Sequence, residues 1–303
     1  MRVLDKKMLR GLGKIRGQVI AVSLVVASGV GVLVMSLAVL DSLRVTANAY
    51  YERYAFAEVF GGVTRAPESL AARIAEIPGV QTVQTRITRF ALLDVADFQE
   101  PVIGKLVSIP ERGEPLLNQL ALRDGRFLQP GRPDEVVVNE PFAEAHGLTP
   151  GSTLRALMNG KQRELQVVGI ALSPEYVYAI GPGGLMPDDE RFGVLWMGRE
   201  ALAAAYDLDG AFNDISLGLL RGTAPGAVVE QLDQLLERYG GVGAIARKDQ
   251  ISNWFLMNEI QQIATMATLM PAIFLAVAAF LTNTVLARLI STERTEIGLM
   301  KAF

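Results

Sequence analysis

The stretch GQVIAVSLVVASGVGVLVMSLAVL, Gly17–Leu40, holds no Asp, Glu, Lys or Arg, and IQQIATMATLMPAIFLAVAAFLTNTVLA, Ile260–Ala287, holds none either. At about 1.5 Å rise per residue, each run can cross a bilayer core of about 30 Å as a helix. The two runs set the architecture. Transmembrane α-helices at 17–43 and 260–287 bracket a polar segment, 44–258. Two other readings exist. Ala47-Asn48-Ala49 resembles a signal-peptidase site, but it lies well beyond the first run. That run also exceeds the apolar region of a signal peptide, and a second span follows. The second run could be a buried soluble helix, but its length and basic C-terminal flank favour a span.

The flanking charges give an orientation. Arg2, Lys6, Lys7, Arg10, Lys14 and Arg16 precede the first run against Asp5 alone, and Arg288, Arg294 and Lys301 follow the second. Positive charge beside a span marks its cytoplasmic side. The reading is a multi-pass protein of the plasma (inner) membrane, with both ends of the chain cytoplasmic and residues 44–258 extracytoplasmic. The outer segment carries 20 Lys and Arg against 27 Asp and Glu, a net charge of −7. That argues against a nucleic-acid partner, which needs a basic face. The absence of cysteine excludes a disulfide framework, a thiolate metal site and a cysteine nucleophile.

Residues 1–16 read as a cytoplasmic amphipathic helix, with Leu4, Met8, Leu12 and Ile15 at helical spacing. Such a segment lies in the inner headgroup layer, unless it is a plain basic flank. Ala27 and Gly31 form a small-xxx-small pair in the first span, which permits close helix contact or is ordinary small-residue content. Tyr50, Tyr51, Tyr54 and Phe56 after the first span, and Trp254 and Phe255 before the second, read as interfacial aromatic belts or as domain core.

The outer segment reads as an α+β domain of two βαβ-type halves, at about 57–112 and 210–250, with a β-rich subdomain at about 113–200 inserted between them. In the first half, Pro67 opens a helix through Ser69–Glu76, and Pro78-Gly79 ends it. Val80–Thr88, Phe90–Val95 and Val102–Ile109 read as strands. In the insert, Glu135–Asn139 reads as a strand and Glu140–His146 as a helix closed by Gly147. Leu154–Met158 and Glu164–Ile170 form a hairpin around Asn159-Gly160, a type I′ turn signal. In the last half, a strand at Ile215–Leu220 leads through Pro225 to a helix over Val228–Tyr239. Gly240-Gly241 and a strand at Val242–Ala246 follow.

Catalytic chemistry is not written in the chain. The single histidine, His146, reads as a helix C-terminal residue, since a lone His builds no His-rich metal site. No G-x-S-x-G or H-E-x-x-H occurs, and Asn159-Gly160-Lys161-Gln162 is no phosphate-binding loop. Asp188-Asp189-Glu190 lacks the alternation of a Ca²⁺ loop and reads as a solvated charge run. The expectation is no catalytic, cofactor or metal residues.

One segment carries a family resemblance. Glu296-Ile297-Gly298-Leu299-Met300-Lys301-Ala302, in the cytoplasmic extension 288–303, resembles the E-I-G-hydrophobic-hydrophobic-K-A motif of FtsX-like and MacB-like ABC-transporter permeases. Val136–Glu140, His146-Gly147-Leu148 with Pro150-Gly151, and Leu165–Ile170 are similar to stretches of the MacB-like periplasmic core domain. Pro174-Glu175-Tyr176-Val177-Tyr178 with Gly181–Gly184 is similar to a loop in one branch of large permeases.

The resemblance implies a permease subunit whose cytoplasmic ABC ATPase partner touches the chain at Glu296, Ile297, Gly298, Leu299, Met300, Lys301 and Ala302. ATP chemistry would belong to that partner, and its closure would move the spans and the outer domain. A second permease copy or homologue, the lipid bilayer and a periplasmic adaptor are the other partners implied. Pro271 is a candidate flexing point of the second span, because proline removes a helix hydrogen bond. The family's further spans lie beyond Phe303, so the chain reads as a C-terminally truncated permease. The rival reading is a membrane-anchored ligand-sensing receptor, the input half of a chemoreceptor or sensor kinase. Such receptors continue into sustained heptads, and Arg288–Phe303 shows none.

Overall fold

The computed structural model describes residues 16–95, 98 and 100–302. The expected amphipathic helix at 1–16 therefore falls almost wholly outside the described residues. The chain divides into two units: a helical unit containing residues 16–46 and 258–302, and an outer domain, Ala47–Met257.

The helical unit holds most of α1 (Arg16–Arg53) and of the last helix, Ile251–Ala302. Both extend past the apolar runs that nucleate them. Only 6% of the most apolar window of the first and 17% of that of the second is buried by the protein itself, so their apolar flanks need another apolar medium. Gly29, not Gly31, is the close-approach residue. A Cβ at Gly29 would stand 3.3 Å from the Phe274 Cβ, whereas at Gly31 nothing lies within 4 Å. Gly29→Val should therefore destabilise the helix pair by about 1–3 kcal/mol through overpacking. Gly31→Val should be nearly neutral, and thermal unfolding of the detergent-solubilised chain compares them.

In the outer domain, β1 (Val59–Pro67), α2 (Leu70–Ala75) and β2 (Val80–Arg86) form one βαβ-type half. The other half comprises β10 (Ala211–Leu219), α5 (Pro225–Leu236) and β11 (Ile245–Ala246). The halves interlock in one four-stranded sheet of order β11-β1-β10-β2, antiparallel throughout. Each half's two strands therefore run parallel with a strand of the other half between them. The helices cover one face of this sheet, where Leu70, Ile74, Val228, Leu232 and Leu236 pack on Val63, Ile215 and Leu217. Pro67 ends β1 rather than opening α2, whose N-cap position is Ser69.

The inserted subdomain begins earlier than expected. β3 (Thr88–Asp94) and β4 (Val102–Ile109), assigned from sequence to the first half, pair in a second sheet. That sheet also contains β5 (Ala121–Gly125), β6 (Glu135–Asn139), β7 (Thr153–Met158), β8 (Lys161–Leu172) and β9 (Phe192–Gly198). The first half thus stops at Arg86, not near 112, because β4 runs parallel to distant β9, with Leu106 opposite Leu195. Pairing passes β8-β6-β9-β4-β3-β7 and returns to β8 through the β7–β8 hairpin, so six strands close into a barrel with β5 appended to β8. The hairpin turns on Asn159 (φ 48°) and Gly160 (φ 75°), the two positive values of a type I′ turn.

Alternate residues of the six strands fill the barrel: Leu93, Leu106, Val138, Ala156, Leu165 and Leu195 are at most 6% exposed. Two short helices complete that core. Phe142 belongs to α3 (Glu140–Ala145) and Leu202 to α4 (Arg199–Tyr206). A Cβ at Gly193 would stand 2.7 Å from the Phe142 ring, so glycine there makes room for the plug. The outer faces of β4, β6, β8 and β9 carry a second layer with Trp196, Val194 and Tyr176.

Candidate functional site: the joint at the helix entries

The outer domain is joined to the two long helices by the segments around Arg53 and Ile251. On the α1 side, the helix ends at Arg53, and Ala55 in a left-handed conformation (φ 47°) turns the chain into β1. Tyr51 and Phe56 are 5% and 2% exposed and pack with Ala57, Phe60 and Leu117, so these aromatics are domain core rather than a belt. Trp254, by contrast, is exposed. Asn118, itself buried, fixes the turn. Its Oδ1 accepts from the Ala57 N–H at 2.9 Å and its Nδ2 donates to Ser216 Oγ at 3.1 Å.

On the other side, β11 leads through Arg247–Asp249 into the last helix, α6 (Ile251–Ala302). Arg247 Nε donates to the Ala57 carbonyl at 2.8 Å, and Nη2 donates to the Phe56 carbonyl and the Glu58 carboxylate. Its guanidinium also lies 5.0 Å from the Phe56 ring centroid. The residue four positions before α6 therefore grips the segment between α1 and β1. Three of the first residues around the α6 start are polar yet buried: Gln250, Ser252 and Asn253. Each is satisfied. Gln250 Oε1 caps the helix by accepting from the Asn253 N–H at 2.8 Å, and Asn253 Nδ2 donates to the Arg247 carbonyl at 2.9 Å. Gln250 Nε2 donates to the Glu175 carbonyl at 2.8 Å, and Ser252 Oγ accepts from the Tyr178 N–H at 2.9 Å.

Arg247→Met would leave these carbonyl and carboxylate acceptors without their cationic donor. The expected cost at the joint is about 1–3 kcal/mol. Amide hydrogen exchange at residues 54–58 should accelerate by about tenfold for each 1.4 kcal/mol lost. Unchanged exchange there would show that Arg247 does not hold the joint.

The subdomains meet at a second polar cluster. Arg86 and Glu175 are 3% and 5% exposed. Two guanidinium nitrogens meet the two carboxylate oxygens at 2.5 and 2.9 Å, and Arg86 Nε donates to Asp214 at 2.7 Å. Burial alone would raise the Glu175 pKa, but the Arg86 charge and hydrogen bonds more than offset it and hold the carboxyl below the usual range. Asn213 bridges the strand exchange between subdomains, accepting from the Thr88 N–H and donating to the Thr88 carbonyl, both at 2.8 Å.

Of the residues singled out from sequence, Pro271 lies inside α6 and is buried. The backbone of Glu296–Ala302 continues the same helix, but its side chains are outside the described residues. At about 1.5 Å per residue, Pro271 and Glu296 stand about 38 Å apart on α6, so they form no common site. His146 follows α3, with Nε2 2.8 Å from the Glu190 carbonyl. Asp188 accepts from the Arg191 backbone and guanidinium at 3.1 and 2.9 Å. Among the described residues, no group of three or more His, Asp or Glu side chains is placed to hold a metal ion. The joint residues Arg247, Gln250, Ser252 and Asn253 were not singled out from sequence. The available signal was a polar run directly ahead of an apolar helix, the pattern of an N-terminal cap.

A family profile described as the MacB-like periplasmic core domain matches residues 20–238. Among solved structures, the periplasmic region of MacB from Actinobacillus actinomycetemcomitans is similar at 14% identity and a TM-score of 0.40, covering 68% of this chain and 95% of that one. The extracellular domain of the noncanonic ABC-type transporter YknZ from Gram-positive bacteria is similar at 10% identity and a TM-score of 0.37, covering 63% and 98%. No curated protein matches the chain.

Proposed function

The chain belongs to the family of the MacB-like periplasmic core domain, and from that membership we propose that it serves as the permease subunit of an ABC transporter. A separate cytoplasmic ATPase binds near Glu296–Ala302, and a second permease copy or homologue completes the membrane assembly. Residues 44–258 lie outside the inner membrane, and both ends of this chain lie in the cytoplasm. The basic flanks of the two apolar runs support that orientation.

ATP-driven motion enters through the cytoplasmic end of α6 and reaches the outer domain along the helix. Pro271 provides compliance, since it withholds the hydrogen bond that would otherwise reach the Ala267 carbonyl. The observation that carries this reading is the joint. Arg247, Gln250, Ser252 and Asn253 tie the start of α6 to both the exit of α1 and the barrel subdomain. A helix held this tightly at its domain end moves its domain when it moves.

The test is co-reconstitution of the permease with its ABC ATPase in lipid nanodiscs. Replacing Ile297, Leu299 and Met300 together by Ala should remove an apolar contact and lower coupled ATPase activity about tenfold or more, as loss of about 1.4 kcal/mol or more requires. If the permease binds no ATPase, or the triple variant couples as well as the parent, the reading fails.

A further inference from the structure

The turn Pro174–Tyr178 lies between β8 and β9 of the barrel subdomain and is bonded in two directions. Through its side chain, Glu175 reaches Arg86 at the end of β2, and Arg86 holds Asp214 on β10. Through the backbone, the same turn meets α6: the Glu175 carbonyl accepts from Gln250, and the Tyr178 N–H donates to Ser252. Tyr176 braces the carboxylate from within the turn, its hydroxyl donating to Glu175 Oε1 at 3.1 Å. Five consecutive residues therefore join the barrel, the four-stranded sheet and the second long helix.

A cleft of about 490 Å³ adjoins this point. Phe60 and Asp214 line it from the four-stranded sheet, Phe90, Lys105 and Phe192 from the barrel, and Ile251 from α6. The turn contributes Glu175, Tyr176 and Tyr178 to the same wall. The turn's contact with Arg86 is one link between the subdomains beside that cleft, along with Asn213 to Thr88 and Arg199 to Glu68.

A buried ion pair is weak evidence for stability, because an apolar pair of similar volume often does as well. Its geometry here answers a different need. Two parallel hydrogen bonds and a third to Asp214 fix direction as well as distance, which a greasy contact does not.

We infer that Glu175 is a positioning residue: the Pro174–Tyr178 turn follows the first turn of α6, and the Arg86 grip converts that displacement into a change in the width of the cleft between the subdomains. The inference rests on the reading of α6 as the moving element and names the route by which its motion enters the barrel. Both contacts are required. Cutting the helix side removes the turn's hydrogen bonds to α6 and leaves the Tyr178–Phe255 ring contact at 6.2 Å, and cutting the Arg86 side removes the turn's ion pair to the four-stranded sheet.

The chain lacks cysteine, so two introduced thiols are labelled without background. Spin labels at Lys161→Cys on the barrel hairpin and Glu230→Cys on α5 read the separation of the subdomains. Both native side chains are exposed. Pulsed dipolar spectroscopy on the full chain in nanodiscs, without an ATPase, should give one narrow distance distribution in the parent. Glu175→Gln should widen it to at least twice that width, and so should Gln250→Leu combined with Ser252→Ala. A third variant separates positioning from folding. Arg86→Met with Glu175→Met refills the volume with apolar atoms and should keep the parent's thermal midpoint while still showing the wide distribution. Parent-like distributions in all three variants overturn the inference. So does widening that appears only in variants with a lowered thermal midpoint, because that marks a merely structural role. None of these readouts depends on ATPase binding, so this inference and the proposed function fail separately.

Discussion

Arg86→Met lowers the stability of the outer domain by about 3–5 kcal/mol, because it removes one partner of a buried charge cluster and leaves Glu175 without its counter-ion. Arg86 and Glu175 side chains are 4% and 7% exposed, so water cannot replace the lost guanidinium without opening the seam. Asp214, with a side chain 21% exposed, loses a partner too but retains access to solvent. Denaturant unfolding of the detergent-solubilised chain, followed by fluorescence, measures the loss. Trp196 is 2% exposed in the layer beside Tyr176 and reports on this region directly.

The same variant has a pH signature. In the parent, the folded-state pKa of Glu175 is lowered. Its contribution is therefore present above the unfolded carboxylate value of about 4.3 and is lost as pH falls through the folded value. Without Arg86, burial of the carboxylate is countered by the Lys105 charge and the Tyr176 hydroxyl without the guanidinium, so the folded-state pKa rises relative to the parent and the variant is relieved by protonation. The stability gap between parent and variant should narrow as pH falls through the variant's carboxylate range and then through the parent's lowered one. A gap that is constant with pH would mean that the loss comes from packing and not from the stranded charge.

Phe142→Ala costs about 3–5 kcal/mol, the range for emptying an aromatic side chain from a packed core. Phe142 is 0% exposed, belongs to the core shared by the six barrel strands and fills the space left by Gly193. The substitution should expose Trp196 at lower denaturant while leaving α1 and α6 helical by circular dichroism. A parent-like midpoint would mean that the barrel collapses around the void, which the strand closure through β7 and β8 opposes.

The local elements of this domain are well encoded in local residues. Val102–Ile109 and Glu135–Asn139 are strands over the residues expected, and Asn159-Gly160 makes the expected turn. Two strand–helix–strand patterns with their Pro and Gly punctuation mark the two halves, but their interlocking comes from long-range pairing of β10 with β1 and β2. What local pattern does not encode is which sheet a strand joins. β3 and β4 follow β2 with only Ile87 between β2 and β3, yet they leave its sheet, because β4 finds its parallel partner nearly ninety positions away in β9. β9 and α4 were not expected at all. Phe192–Gly198 is buried at every position, so it shows no alternation to mark it as a strand. The joint was illegible for a related reason. Gln250 caps α6 locally through the Asn253 N–H, but the partners that make it and Ser252 a joint, Glu175 and Tyr178, lie more than seventy residues upstream. The candidate ATPase contacts rest on a contiguous motif, Glu296–Ala302, whose side chains lie outside the described residues.

The cyclic pairing of the barrel has one more consequence. An open sheet presents a row of unpaired N–H and C=O groups that a neighbouring chain can extend. Six of the barrel's strands have a partner on each side, which leaves β5 on its flank and the outer strands of the four-stranded sheet as the available edges. Of those, among the described residues, β11 is two residues long and β5 five, both short templates, while β2 is seven. Two copies of this domain crowded side by side would therefore meet at the barrel through side chains, and β2 is the edge on which they could share backbone.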